Sequence, residues 1–93
     1  MKVKVSCEDK YECQKLASLI FIKDSNETYI TKILNIIENE VVVELKDKSA
    51  HSVLLKDNEQ VEIFVDFIQS VLEGEHKIIS TNTIEQDIEM VKR

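Results

Sequence analysis

A chain of 93 residues with no proline and a single glycine, Gly74, has few compositional means of turning sharply. Phosphate-cradling loops need several glycines where backbone approaches a ligand. G-x-x-x-x-G-K-[ST], G-x-G-x-x-G and G-x-S-x-G are therefore all absent, and the folds built on them are excluded. The lack of proline removes proline-rich ligand segments and stiff linkers. Ile and Val each outnumber Leu, which tilts the hydrophobic pattern towards sheet. The length fits one domain, residues 1–93, and a chain of this size buries about two-thirds of its unfolded surface.

Residues 1–6 (MKVKVS) alternate Lys with Val and predict a half-buried strand near an edge. Cys13, Leu16, Ala17 and Ile20 fall at i, i+3, i+4 and i+7, which predicts a helix from about Asp9 to Ile20. Residues 19–23 are also compatible with the opening of a strand. Asp24-Ser25-Asn26-Glu27 reads as a polar turn. Residues 28–37 and 41–46 read as a hairpin, with Asn39 taking the left-handed conformation between them. Residues 52–56 form the third strand of a meander. Asp57 is an N-cap, Gln60 completes a capping box, and Gly74 stands where a C-cap belongs. Between them Val61, Phe64, Val65, Ile68, Val71 and Leu72 trace one helical stripe, predicting a helix over 58–73. Residues 76–80 read as a last strand. Residues 83–92 fit either a short helix capped by Thr83 and Gln86 or an alternating strand. The order is β-α-β-β-β-α-β, an α+β fold with a mostly antiparallel sheet and two helices packed on one face.

Charge is uneven. Residues 1–23 hold five Lys against three acids, and residues 24–93 hold seven Lys or Arg against fifteen acids, giving +2 and −8 and the net −6. An acidic body disfavours direct binding of nucleic acid. No apolar run is long enough to span a bilayer, and the run at residues 16–22 lacks the flanks of a signal peptide, so a cytoplasmic location without membrane contact is expected. In that setting Asn26-Glu27-Thr28 is a turn and not a glycan acceptor.

The chemistry-bearing residues are sparse. Cys7 and Cys13 form C-x5-C, a spacing that suits neither a zinc knuckle nor a thioredoxin-like site. A metal site would need them to converge with His51 and His76. The competing reading is two reduced thiols, Cys13 in the core and Cys7 at a strand end, with a disulfide between them disfavoured by distance. His51 has Asp47, Ser49 and Ser52 near it in sequence, as polar loops do by chance. Neither histidine sits in a reaction motif. The expectation is no enzyme, no metal and no cofactor. The alternative is a minor enzyme or metal protein built on His51, His76, Cys7 and Cys13.

One feature exceeds background. From Asp57 to His76 there are six acids and no Lys or Arg. Glu59, Glu62 and Asp66 are spaced i, i+3, i+7, and Gln69 and Glu73 continue the line. Glu62 and Asp66 form a like-charge i, i+4 pair that nothing nearby in sequence relieves. Such a row is either the solvated face of an amphipathic helix or a docking face for a basic partner protein, with carboxylates spaced like phosphates along a nucleic-acid strand. The composition, small, acidic and rich in Ile and Lys, is similar to that of inhibitors carried by mobile elements, a likeness of composition alone. The consecutive Val41, Val42 and Val43, with adjacent Ile36 and Ile37, put apolar groups on both faces of the hairpin. The second face is then open to the terminal segment or to a second copy, as in a homodimer. The expected function is a small acidic regulator or inhibitor that binds protein through Glu59, Glu62, Asp66 and Glu73, with self-association through the sheet as the alternative.

Overall fold

The computed structural model describes residues 1–23 and 27–93. Asp24, Ser25 and Asn26, with the turn and the Asn-Glu-Thr triplet expected there, lie outside the described residues. The chain runs β1 (Lys2–Ser6), α1 (Lys10–Ile20), β2 (Ile30–Ile37), β3 (Glu40–Leu45), β4 (Ala50–Leu54), α2 (Asn58–Leu72), β5 (Ile78–Ile84) and β6 (Asp87–Lys92). It is an α+β fold whose strands form two antiparallel three-stranded sheets, ordered β1-β6-β5 and β2-β3-β4.

The two sheets meet at one corner. Cys7 and Leu55 form an isolated antiparallel bridge, flanked by bonds from Glu8 N–H to Leu54 O and from Lys56 N–H to Ser6 O, both 3.0 Å. In space the strands therefore follow β2-β3-β4, then β1-β6-β5, bent where β4 touches β1. The outer edges are β2 and β5. The terminal segment is a strand, β6, and the helix that residues 83–92 also allowed does not form. Ile88, Met90 and the stem of Lys92 alternate inward as a central strand requires.

Both helices cover the inner face. α1 packs on β5, β6 and β4, and α2 on β1 and β2, so each helix spans the joint between the sheets. The cluster they close includes Val5, Leu16, Ile20, Val41, Val43, Phe64, Ile68, Ile88 and Met90. Side chains fully withdrawn from water in this way contribute about 1.5–3 kcal/mol each. Cutting Phe64 back to Ala removes the largest of them and costs about 3–5 kcal/mol. No helix among the described residues is long and apolar enough to cross a membrane.

Two local expectations are corrected. Asp57 does cap α2, accepting the Gln60 N–H at 3.0 Å. The Gln60 side chain does not return the bond, because its Oε1 accepts the Ser6 N–H of β1 at 2.9 Å. A tie between elements replaces half of a local capping box. In the β2–β3 turn the left-handed residue is Glu38, at φ 53°, and not Asn39. Ile37 pairs with Glu40, so only two residues make that turn, and its first position demands positive φ. Asn39 instead points its amide at Lys56 O, 3.4 Å away.

Candidate functional site

The apolar stripe of α2 fixes which way the acids point. Val61, Phe64, Phe67 and Ile68 are buried, while Glu59, Glu62, Asp66, Gln69 and Glu73 are exposed. At 100° per residue those five positions fall within an arc of about 80° and span about 21 Å along the axis. The expected row therefore exists as one face of one helix.

Its electrostatics are unrelieved. The ion pairs among the described residues join Lys2 to Glu89, Lys4 to Asp87, Lys15 to Glu12, Lys32 to Glu44 and Lys46 to Glu27. None involves Glu59, Glu62, Asp66 or Glu73. Glu73 also sits at the C-cap, where the helix dipole disfavours a negative charge, and the last turn holds no basic residue. Cations flank the row: Lys32, which is paired with Glu44, lines a hollow with Gln69 and Glu73, and on the other flank Met1 and Lys92 line a shallow hollow with Asp66, Ile63 and Phe67. Met1 and Lys92 are both committed elsewhere. The Met1 ammonium donates to Lys92 O at 2.8 Å. Lys92 Nζ donates to Ser70 Oγ at 2.9 Å and lies 5.3 Å from the centre of the Phe67 ring.

Apolar surface adjoins the C-terminal end of the row. Ile33 and Leu72 line a second hollow together with Gln69, Glu73 and Lys32. Further along β2, Leu34, Ile36 and Ile37 are 44%, 45% and 53% exposed. Periodicity could not announce this patch, because bulges at Thr31 and Leu34 break the alternation that assigns faces. Val42 is half-buried between its neighbours on the outer face of the sheet, while Val41 and Val43 are in the core.

The other candidates do not converge. His51 on β4 and His76 before β5 have separate hydrogen-bond partners, and no group of three or more His, Cys, Asp or Glu among the described residues is placed to hold a metal ion. The Nδ1 of His76 meets the backbone oxygen of Arg93. His51 Nε2 lies 3.0 Å from Ser49 Oγ, and Ser49 Oγ donates to Asp47 Oδ1 at 2.5 Å. The serine stands between acid and imidazole, so its proton goes to the carboxylate. A nucleophile requires the imidazole in the middle. The Ser49 hydroxyl, and then its N–H, hold the Asp47 carboxyl below the usual range. That set shapes the β3–β4 turn.

Cys7 and Cys13 are free thiols, both fully buried. The strand end at Cys7 folds back on the first turn of α1, so the thiols meet despite their sequence spacing, and the Cys7 thiol donates to Cys13. Burial is the larger cause that pushes the Cys7 thiol up. Burial also raises Cys13, against the opposing pull of the bonds it receives from Cys7. Neither is poised as a thiolate nucleophile. Sequence reasoning missed Glu12, a carboxylate only 10% exposed that ties α1 to β4. Its position on the apolar side of the α1 stripe, one residue from Cys13, was the available signal. No protein-family model, curated protein or solved structure matches this chain.

Proposed function

We propose that the chain is a non-enzymatic protein-binding module whose partner presents a basic surface to the exposed face of α2. One observation carries the reading: Glu59, Glu62, Asp66 and Glu73 form a continuous unpaired row, although five of the lysines in the same molecule are engaged with other acids. Leaving a like-charge pair and a carboxylate at a helix C-terminus lowers helix stability, so the arrangement is disfavoured by folding alone. Glu59, Glu62 and Asp66 rise about 4.5–6 Å from one to the next along the axis, close to phosphate spacing on a nucleic-acid strand, and Glu73 follows about 10.5 Å beyond Asp66 with Gln69 between. Such a face suits a groove that otherwise takes nucleic acid, which makes an inhibitor or regulator of a nucleic-acid-binding protein the reading favoured here. The hollow at Ile33 and Leu72 gives the partner an apolar anchor beside the charges.

The test is a titration of isotopically labelled protein with a synthetic peptide that alternates Arg with Leu. Amide shifts are expected to centre on residues 59–73, to shrink steeply with added salt, and to vanish in Glu62→Lys/Asp66→Lys, which keeps its fold. Shifts spread evenly over every exposed acid, Glu38 and Glu85 included, would remove the docking face and leave a solvated helix.

A further inference from the structure

The fold treats its two open edges differently. In β3, the bond from Leu55 N–H to Asn39 O makes Glu40 and Leu54 a wide pair. By alternation Ile30, Ile33 and Ile36 direct their backbone groups to the open side of β2. Two of those three donors are already taken by side chains of the same segment: Ile30 N–H by Thr28 Oγ1 at 3.2 Å, and Ile36 N–H by Asn35 Oδ1 at 2.9 Å. Two bulges twist the strand as well. These are devices that discourage strand addition.

β5 lacks those devices over most of its length. Lys92 N–H bonds Met1 O, which makes Lys2 and Val91 a wide pair and turns Val91, Glu89 and Asp87 towards β5. Ser80, Asn82 and Ile84 receive those bonds, so Thr81 and Thr83 direct their N–H and C=O groups outward. No side chain among the described residues takes them. The strand has no charged residue from Ile78 to Ile84, and its one bulge, at Ile79, lies outside the central Ser80–Asn82 triplet. A long edge free of Lys and Pro is a template for another strand.

We propose that two copies of this chain associate by antiparallel pairing of their β5 edges about a two-fold axis at Thr81. The strip is uncharged on both sides of that axis. Counting outward from Thr81, Ser80 faces Asn82 of the second copy; the bulge at Ile79 then shifts the register by one, so Ile78, whose backbone also points outward, faces Thr83 and Lys77 faces Ile84. Lys77 and Glu85 flank the strand, are exposed, and have no ion pair within their own chain among the described residues. An acidic molecule repels its own copy, so an uncharged strip bounded by one cation and one anion is the surface best suited to self-contact. The acidic row on α2 takes no part in the pairing, which is independent of the function proposed above. A single seven-residue edge is a small contact, so half-association is expected on the order of 100 μM.

Sedimentation across a concentration series tests this. The weight-average mass is expected to rise from 10.8 kDa towards twice that value. Thr81→Pro removes an outward donor without touching the ladder to β6, and is expected to hold the protein monomeric with an unchanged circular dichroism spectrum. Thr81→Lys sets like charges opposite each other across the axis and is expected to weaken association roughly tenfold. A monomer at every concentration up to about 1 mM overturns the proposal. So does a dimer that survives Thr81→Pro or Thr81→Lys, or a dimer abolished only by Ile37→Lys, which would place the contact on β2.

Discussion

Glu12 Oε2 accepts the backbone N–H of Leu54 at 3.0 Å, across 42 positions of sequence. One turn earlier, Glu8 N–H donates to Leu54 O. The two bonds satisfy both backbone groups that β4 turns away from β3 at the corner where the sheets meet. An acid in the first turn of α1 thus serves as a surrogate strand partner, and it also faces Lys15 at 3.4 Å.

Removing that acceptor strands a half-buried donor. Glu12→Ala is expected to cost about 1–3 kcal/mol, because Leu54 N–H is then left without a partner. Glu12→Gln keeps an oxygen in place and is expected to cost less than about 1 kcal/mol. Urea unfolding at constant m-value reads the difference. Equal midpoints for the two variants would show that the bond is incidental.

The hairpin turns hold strain that composition explains. Glu38, Lys48 and Glu85 have φ of 53°, 73° and 50°, and the lone glycine is used at φ 81° after α2. Lys48→Gly is expected to raise stability by about 0.5–1 kcal/mol, while Gly74→Ala lowers it by about 1 kcal/mol. A Cβ at position 74 meets nothing within 4 Å, so conformation alone sets that loss. Thermal unfolding measures both, and a neutral Gly74→Ala would contradict the left-handed cap.

The existence of α2, its N-cap, the glycine after it and the outward acids all follow from 3.6-residue periodicity within one segment. The β2–β3–β4 meander follows from β-branched runs and short polar gaps. What escaped is non-local. Gln60 was matched to its own cap when its partner is Ser6. The division into two sheets depends on the single bridge between Cys7 and Leu55. The last segment remained ambiguous because Ile84, Ile88 and Val91 suit a helix and Ile88, Met90 and Lys92 suit a strand. Pairing with both β1 and β5 decides it, and that is a property of the assembled sheet.

Acid should loosen the β1–β6 pair in a defined way. The Ser6 hydroxyl donates to Asp87 at 2.6 Å, and with Lys4 at 3.2 Å it holds the Asp87 carboxyl below its usual range. A depressed folded-state value means that the unfolded chain takes up the proton first as the pH falls. The stabilisation is therefore complete above the ordinary carboxylate value of about 4 and is lost as the pH drops through the folded one. Ser6→Ala is expected to move Asp87 upward in a carbon-detected titration, with its N–H bond to Gln60 intact. An unmoved titration would shift the cause to Lys4 alone.

The buried thiols predict the opposite limb. Cys7 and Cys13 are raised in the fold, so the unfolded chain ionises first as the pH increases. Their contribution is whole below the ordinary thiol value of about 8.5 and declines above it, so stability falls on the alkaline side. At neutral pH neither thiol should react with an aromatic disulfide reagent until the protein is unfolded, and both should then react at once. Fast labelling of the native protein would mean that this corner opens on its own.

The acidic row makes a prediction about folding that is separate from binding. Glu62 and Asp66 repel at i, i+4, and Glu73 opposes the helix dipole, with no cation within ion-pair range among the described residues. Glu62→Lys replaces repulsion with attraction towards both Glu59 and Asp66, and is expected to stabilise the fold by about 0.5 kcal/mol. Raising salt from about 10 mM to about 0.5 M should narrow that gain, since the Debye length contracts from about 30 Å to a few ångströms. The two measurements together separate a tolerated row from a compensated one. If the reversal destabilises, Lys92 or the Met1 ammonium already balances Asp66 at longer range, and the face is no longer an open site for a basic partner. If it stabilises while peptide binding is lost, these carboxylates are held against the preference of the helix that carries them, which is the relation expected of residues retained for contact.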